Sequence, residues 1–275
     1  MSKLDETCFP HYPLLKNSFV SPLTSRASSS FTGGFQFLTD IFSEQELAKA
    51  RQGQEHLMAG HGDITPHFKW PLPRARKARS WKTPYSTHFR SELAALARSP
   101  RLLEKIAEAT DAKSLRLWFD QLLWEEPVPR KTSLNYHWHT ERSRWKTCEA
   151  RLMVTAWIPL DTITPEMGPI TMVRKSARRE WLELPDGWSP ETNHILPATV
   201  QPGDAALFCW HTVHGNPPNW GQTPRRAIAL HYAIDEISYL SHGKFSHLNE
   251  RTVRECAGRP DFTDDSVCPL LWQKH

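Results

Sequence analysis

The chain has 275 residues, 39% of them hydrophobic, and its 34 basic and 30 acidic side chains give a net charge of +4. This length suits one elaborated domain, and the hydrophobic fraction is sufficient for a packed core. The small net charge by itself indicates neither a nucleic-acid partner nor a membrane surface. We predict a single domain over residues 1–275, in which residues 1–33 form a poorly structured or peripheral N-terminal segment.

Two features of the sequence concern where the protein works. No run approaches the roughly 18 apolar residues that cross a bilayer, and the N-terminus has no secretory signal. The cysteines form neither a metal-binding spacing nor an even disulfide set; they are Cys8, Cys148, Cys209, Cys256 and Cys268. These features favour a cytoplasmic protein without a membrane partner, and they leave the oligomeric state open.

The first predicted elements are a short strand, from Phe35 to Leu38, and a capped helix. Ser43 is followed three residues later by Glu46, which is the pattern of a capping box at a helix start. A second helical region, from Phe89 to Ala109, has apolar residues at helical spacing. The Ser99-Pro100 pair divides it, because serine favours the N-cap and proline the first helical position. Two short helices are therefore expected there.

From about Leu115 the sequence changes to short runs rich in aromatic and β-branched residues, separated by Pro, Gly, Asp and Asn. Such runs are typical of β-strands. The candidate strands are Leu115 to Trp124, Leu134 to His139, Arg151 to Leu160, Pro169 to Val173, Ala205 to Trp210 and Arg226 to Ile234. Many short strands preceded by helices predict a mainly β fold with flanking helices, built on a double-stranded β-helix, a jelly-roll and cupin-like core.

One segment has a local excess of positive charge. The stretch from Lys69 to Lys82 contains six basic side chains, no acidic ones and two tryptophans. Such a composition could bind phosphate or carboxylate groups. A solvated loop is the simpler interpretation, because two prolines disfavour a basic helix and loops are generally polar. A nucleic-acid partner is therefore not expected.

The segment NYHWHTER, at residues 135–142, suggests a metal site. Side chains alternate faces on an extended strand, so His139 and Glu141 project the same way and can offer one nitrogen and one oxygen to a metal ion. A histidine from a distant strand would complete the two-histidine, one-carboxylate set that binds iron(II) and leaves positions open for a cosubstrate and dioxygen. His214, at the end of an apolar run, is the candidate. Arg225, at the start of a later strand, could pair with a carboxylate.

Two other histidines compete for the ligand positions. His137 shares the strand face of His139, whereas His211 would point to the opposite face from His214 on a regular strand. Both are expected beside the site, where a hydrogen bond can orient a metal-bound imidazole or a substrate.

In their order along the chain, these segments resemble the phytanoyl-CoA dioxygenase-like family of iron(II)- and 2-oxoglutarate-dependent oxygenases. The family's first strand and helix resemble GGFQFLTDIFSEQELAKA, and its next helical segment resembles SELAALARSPRLLEKIAEATDA. The strand before its metal motif resembles LRLWFDQLLWEEP, and its Trp-His-Gln-Asp motif resembles WHTE. Its following stretch resembles VTAWIPLDTITPEMGPITMVRKSARR, and GDAALF, His214-Gly-Asn and Arg225 complete the order.

The resemblance implies that His139, Glu141 and His214 ligate iron(II) as the catalytic centre, with dioxygen as the oxidant. It also implies that Arg225 holds the distal carboxylate of 2-oxoglutarate. Weaker contacts with this cosubstrate are implied for Gln121, Trp157 and Asn216. Core packing of the tryptophan and an internal hydrogen bond of the glutamine are the alternatives for two of these.

Three positions depart from the family pattern. Glu141 stands where the family usually has aspartate, and glutamate remains a competent oxygen ligand. A lysine that commonly helps to hold the cosubstrate is replaced by Glu125 or Glu126 in WEEP. The family's Gly-Ser-His reads as residues 175–177, Lys-Ser-Ala, so no role of that histidine can be transferred.

The predicted protein is thus an iron(II)/2-oxoglutarate-dependent dioxygenase that oxidises a small-molecule metabolite, with natural-product biosynthesis as the favoured setting. Hydroxylation is the default outcome, and desaturation, cyclisation and epimerisation are open to the same C–H abstraction. Tryptophans that could stack on a substrate near the mouth of the site are Trp138, Trp145, Trp210 and Trp220. The alternatives are the same chemistry on a nucleic acid or protein, and a jelly roll that binds a ligand without redox turnover.

Overall fold

The structure, a computed structural model, describes residues 31, 33–72, 80–129, 138–191, 194–198, 200–241 and 247–274. Within these ranges no helix is long and apolar enough to cross a membrane. Most of the predicted N-terminal segment lies outside the described residues, and so does the centre of the basic tract at residues 73–79. The predictions of a peripheral segment and of a solvated basic loop therefore stay predictions.

The α-helices among the described residues are α1 (Glu44–Met58), α2 (Ser91–Ala97), α3 (Pro100–Thr110) and α4 (Glu141–Arg144). The predicted capping box of α1 is confirmed, because the Glu46 amide donates to the Ser43 hydroxyl and the Ser43 amide donates to the Glu46 carboxylate. The predicted pair of short helices is confirmed as α2 and α3. Ser99 occupies the N-cap position of α3, but its buried hydroxyl has no partner among the described residues.

The strands of the described chain are β1 (Phe35–Leu38), β2 (Ser80–Pro84), β3 (Ser114–Glu125), β4 (Cys148–Pro159), β5 (Thr171–Val173), β6 (Ile195–Pro197), β7 (Ala205–Cys209), β8 (His214–Gly215), β9 (Arg225–Tyr239), β10 (Glu255–Cys256), β11 (Arg259–Pro260) and β12 (Leu270–Gln273). The predicted mainly β fold is confirmed. Of the predicted strand from Leu134 to His139, residues 134–137 lie outside the described residues. The edge strands β2, β6 and β12 were not predicted, because short edge strands carry little alternation of polar and apolar residues.

The large antiparallel sheet has the strand order β1-β7-β4-β9-β3. Both β2 and β12 pair with the outer edge of β3, one near Leu123 and the other near Leu115. A smaller sheet has the order β6-β5-β8. The strand β9 therefore lies near the middle of the large sheet, where its side chains can contact two cores.

Side chains of β9 alternate between these two cores, as the period of a strand requires. Ile228 and Leu230 face the larger core, which also contains residues of α1, α2 and α3. Ala227 and Ala229 face a smaller core, to which β5 of the small sheet contributes Met172. Each fully buried isoleucine or leucine stabilises the fold by roughly 1.5–3 kcal/mol. The two sheets thus enclose the smaller core, as expected for a double-stranded β-helix.

Candidate metal centre

Three of the predicted site residues converge at one edge of the smaller core. His139, Glu141 and His214 each place one possible ligand atom so that all of these atoms lie within 4.8 Å of one another. The Nε2 atom of His214 is 3.5 Å from a carboxylate oxygen of Glu141. These residues are close in space although about seventy positions separate the first two from the third in the chain.

The backbone fixes this convergence through one β-bridge. The amide of His139 donates to the carbonyl of His214 at 3.0 Å, and the amide of His214 donates to the carbonyl of His139 at 2.9 Å. The prediction that Glu141 lies on a strand with His139 is wrong, because Glu141 begins α4. Thr140 is the extended N-cap, and its hydroxyl accepts from the Ser143 amide. This cap ends the extended segment one residue after His139. Because Thr140 itself is extended, the side chains of His139 and Glu141 still project to the same side.

Hydrogen bonds and neighbouring charges prepare these side chains for a cation. The Nδ1 atom of His214 lies 2.9 Å from the Thr212 carbonyl, which can only accept, so Nδ1 carries the proton and Nε2 has a free lone pair. Burial alone would raise the pKa of Glu141. Contacts with the neighbouring histidines, His214 first among them, outweigh this effect and hold the pKa well below its usual range. The carboxylate is therefore ionised at neutral pH.

The donor set fits iron(II). Two imidazole nitrogens and one carboxylate oxygen form the facial triad of non-haem iron oxygenases, and such a triad leaves several coordination positions for other ligands. His214 is buried, with 2% of its surface exposed, and His139 and Glu141 are partly buried. Water would thus have little access to the metal except through the open positions.

Arg225 is buried at the start of β9 and is held by a loop. Its Nη1 atom donates to the carbonyls of Met167, at 3.0 Å, and of Pro217, at 3.0 Å, and also to the carbonyl of Gly168. In this loop Pro165–Met167 form a short 3-10 helix that ends at Gly168. These contacts fix the guanidinium on the face of β9 that lines the smaller core. Its predicted pairing with the cosubstrate carboxylate stays a prediction.

Gln121 and Trp157, two of the weaker predicted cosubstrate contacts, lie in one row of residues across three strands. Gln121 of β3 and Trp157 of β4 both pair with Ala229 of β9, so their side chains share the face of the smaller core. Trp157 is exposed by 2%, and its Nε1–H is buried without a partner among the described residues. A buried donor without a partner costs about 1–3 kcal/mol. This donor therefore fits an oxygen of a bound molecule, as the cosubstrate would supply.

The other predicted residues near the cosubstrate are less buried or differently engaged. Asn216 is half-buried two residues after His214. Glu125, the nearer replacement for the family's lysine, pairs with Arg225 in register and accepts from the Ser80 hydroxyl at 2.6 Å. Glu126 accepts from the Trp124 indole at 2.7 Å. Neither glutamate supplies the positive charge of the missing lysine, so the cosubstrate would depend more on Arg225.

The competing histidines do not join the ligand group. His137 lies outside the described residues. His211 is not among the three clustered residues, and its ring contacts Trp210 at 5.4 Å between centroids. Its Nδ1 is buried without a partner among the described residues, and burial and then the charge of Arg142 lower its pKa to about 3. Trp210 is also covered by the Arg142 guanidinium, which lies 4.7 Å from the ring centroid.

Two buried histidines near the centre were missed by sequence reasoning: His231 on β9 and His247. Burial lowers the pKa of each, in the case of His247 to about 3. Trp145, predicted near the mouth of the site, is buried and contacts both imidazole rings. Side chains alternate faces along a strand, so Arg225 and His231, six residues apart, lie on the same face of β9. This spacing could have indicated His231 from the sequence. Nothing local in the sequence indicated His247.

Comparisons with known proteins identify the family of the chain. The family described as Phytanoyl-CoA dioxygenase (PhyH) matches residues 33–227, which is well over half of the chain. A methylphosphonate hydroxylase from Gimesia maris is 26% identical over 215 residues, covering 72% of this chain and 76% of that protein.

Solved structures share the fold. The non-haem α-ketoglutarate-dependent carbocyclase SnoK from nogalamycin biosynthesis has a TM-score of 0.68 at 19% identity, covering 93% of this chain and 100% of that one. EctD from S. alaskensis, solved with 2-oxoglutarate and 5-hydroxyectoine, has a TM-score of 0.59 at 21% identity, covering 82% of this chain and 83% of that one. The predicted cofactors, iron(II), 2-oxoglutarate and dioxygen, follow from the family match and the donor set. The chain belongs to the phytanoyl-CoA dioxygenase family of iron(II)- and 2-oxoglutarate-dependent oxygenases.

Proposed function

We propose that this oxygenase hydroxylates a small-molecule metabolite at one C–H bond and that it acts in natural-product biosynthesis. The observation that carries the proposal is the convergence of His139, Glu141 and His214 within 4.8 Å at the edge of a buried core. The relatives support a small substrate, since one is named for methylphosphonate and others for steps of nogalamycin biosynthesis. Desaturation, cyclisation and epimerisation need the same first step and remain products of the same site.

Some residues of this chain would hold the metal and the cosubstrate, and others orient the residues that hold them. When bound, iron(II) with 2-oxoglutarate and dioxygen supplies the oxidant that removes the substrate hydrogen. His139, Glu141 and His214 would hold the metal on one face, and the His214 tautomer is fixed by the Thr212 carbonyl. Arg225 would bind the distal carboxylate of 2-oxoglutarate, because a guanidinium fork matches a carboxylate.

The carboxylate of Glu141 also bears on the reaction type. Halogenation needs an empty position on the metal for a halide. In this chain the Glu141 carboxylate would occupy that position. The apolar residues of the smaller core keep water from the cosubstrate, so the oxidant would be directed to the substrate rather than lost. Hydroxylation is therefore the default that the donor set favours.

The test is a metabolite screen. The protein is loaded with iron(II) and 2-oxoglutarate without oxygen, mixed with single metabolites that include methylphosphonate, and then exposed to oxygen. Succinate that forms only with one compound, together with an oxidised product of that compound, is the expected result. If no compound stimulates succinate release above the substrate-free rate, hydroxylation of a small molecule is the wrong function.

Two variants test the assigned roles in the same assay. His214→Ala should abolish iron binding, measured by equilibrium dialysis, and turnover with it. Arg225→Ala should retain iron but weaken 2-oxoglutarate by about tenfold or more, because it removes a charge-assisted hydrogen bond. Normal turnover in both variants would contradict the assignment.

A nucleic-acid substrate is the second candidate, favoured by the six basic residues of the tract from Lys69 to Lys82. Such binding would weaken steeply with salt, because phosphate contacts release counterions. Fluorescence anisotropy with a labelled oligonucleotide at low and high salt tests it. The absence of binding at low salt would remove this candidate.

A further inference from the structure

The face of β9 that carries Arg225 also carries a second polar residue, His231. Between the two, this face presents only the methyl groups of Ala227 and Ala229, since side chains alternate along a strand. Six residues of strand span about 20 Å. The small alanines leave space along the face, and His231 lies at the end remote from Arg225. If Arg225 holds the cosubstrate, as proposed above, His231 is on the substrate side.

Two independent relations put His231 beside the metal centre. Trp145, whose amide donates to the carbonyl of Glu141, has its ring centroid 4.9 Å from that of His231. In the large sheet His231 pairs with Thr155, and Thr155 pairs with Phe208, whose ring centroid is 4.6 Å from that of His214. His231 does not belong to the cluster of three ligand residues. It is therefore a neighbour of the metal site and not a fourth ligand.

The hydrogen bond of the His231 ring decides which nitrogen carries the proton. The Thr155 hydroxyl lies 2.8 Å from Nδ1, and both side chains are buried. Among the described residues this nitrogen is the available acceptor for the hydroxyl proton, and a buried hydroxyl that does not donate costs free energy. Thr155 therefore donates to Nδ1, and the neutral imidazole carries its hydrogen on Nε2. No hydrogen-bond partner for this Nε2–H is found in the described part of the chain.

Aromatic neighbours hold the ring in this orientation. Phe119 stacks on the imidazole with 5.8 Å between centroids and 16° between the planes. Trp145 approaches it edge to face at 4.9 Å. With one nitrogen bound and the ring fixed by these contacts, His231 cannot turn Nε2 toward another protein partner without losing them.

We propose that His231 is a substrate-binding residue whose Nε2–H donates to an oxygen acceptor of the substrate beside the oxidised C–H bond. Thr155 is the positioning residue that fixes the ring for this contact. The inference rests on the proposed function and deepens it, because it defines the substrate class. The substrate carries a carbonyl, hydroxyl, carboxylate or phosphonate oxygen close to the carbon that loses hydrogen.

The experiment compares His231→Ala with His231→Gln, which keeps an N–H donor, and Thr155→Val with Thr155→Ser, which keeps the hydroxyl. His194→Ala, at a half-exposed position that is not part of the ligand cluster, is the matched control. The probes are methylphosphonate and each compound that stimulates succinate release in the screen. Probe affinity is measured without oxygen, from the change in the visible absorption of the iron(II)–2-oxoglutarate complex. Coupling is measured with oxygen as succinate formed per oxidised product.

The affinity of 2-oxoglutarate should stay within about twofold of wild type in every variant, because His231 would bind the substrate and not the cosubstrate. His231→Ala and Thr155→Val should weaken the probe by about tenfold, the loss of one hydrogen bond, and should raise succinate per product. His231→Gln and Thr155→Ser should recover most of the affinity. If His231→Ala does not fold, the Thr155 pair carries the test.

Unchanged probe affinity in His231→Ala and Thr155→Val would overturn the inference. The same holds if no oxygen-bearing probe binds to the wild type while its iron(II)–2-oxoglutarate absorption is present. A wild type that never develops this absorption would instead contradict the proposed function, so the two failures are distinct.

Discussion

At the scale of single residues, the metal centre depends on the protonation states of buried side chains. Glu141 is held ionised by its histidine neighbours, and His214 is held in one tautomer by a backbone carbonyl. His211 and His247 are buried, and the pKa of each is lowered to about 3. A histidine that is buried in its neutral form destabilises the folded state at pH values where the same histidine is protonated in the unfolded chain.

The pH dependence of the free energy of unfolding tests whether His211 stays neutral in the folded protein. Its pKa is about 3 in the folded protein and roughly 6.5 in the unfolded chain. The unfolded state therefore binds more protons between these values, and stability is lost as the pH falls below about 6.5. Between about pH 7.5 and 5.5 one such group costs about 1 kcal/mol.

His211→Phe should remove this loss, because phenylalanine keeps the ring contact with Trp210 and does not titrate. Urea unfolding at the two pH values gives the free energies of unfolding. The wild type should lose about 1 kcal/mol more than the variant on acidification. Equal losses would show that His211 does not stay neutral in the folded protein.

At the scale of elements, β9 organises the site. Its residues facing the smaller core run from Arg225 through two alanines to His231, and its opposite face supports the larger core. The loop after the 3-10 helix fixes the first of these residues. Gly168 has a φ of +66°, and an added Cβ would lie 2.4 Å from the Pro218 carbonyl oxygen. Only glycine suits that position, and its carbonyl accepts from Arg225.

A larger side chain at Ala229 should block the cosubstrate. Ala229 lies between Gln121 and Trp157 in one row, so a leucine there would fill the space beside the unpartnered Trp157 indole. We expect Ala229→Leu to weaken 2-oxoglutarate by about tenfold or more, at a stability cost of about 1–3 kcal/mol from overpacking. Isothermal titration with 2-oxoglutarate measures the effect, and Ala95→Leu on the exposed face of α2 is the control. Wild-type affinity in Ala229→Leu would place the cosubstrate elsewhere.

At the scale of the whole molecule, the site joins segments that are far apart in the chain. The β-bridge between His139 and His214 connects the segment before α4 to the small sheet. The hydrogen bonds of Arg225 connect β9 to the loop at the end of the 3-10 helix. A metal held by these segments binds the folded chain and not the unfolded one. Binding therefore stabilises the entire fold by mass action.

Iron(II) should raise the melting temperature of the wild type in the absence of oxygen. At a free concentration of 100 times the dissociation constant the stabilisation is about 2.7 kcal/mol. Glu141→Gln keeps the shape of the side chain but loses its charge, so its metal-free melting temperature should stay near the wild-type value while the iron-dependent increase largely disappears. Differential scanning calorimetry compares the two proteins, and an equal increase in both would contradict a ligand role for Glu141.

Several parts of the site followed from local patterns, and others did not. The capping box of Ser43 and Glu46 and the strand β9 were predictable, because caps and alternation act within a few residues. The pairing of Gln121 and Trp157 with one alanine was not, because register between strands depends on contacts across the sheet. Glu141 was assigned to a strand because the N-cap role of Thr140 was not recognised.

The sequence by itself determined the mainly β class with its flanking helices, the candidate ligands and the arginine, since hydrophobic periodicity, helix caps and residue chemistry are local properties. Only the tertiary structure decided that the ligand atoms of His139, Glu141 and His214 meet within 4.8 Å, and that His231 lies in one row with Phe208, whose ring contacts His214. The physical reason is that strand pairing is non-local. Residues that are remote in the chain become neighbours only when the sheets have formed and their register is fixed.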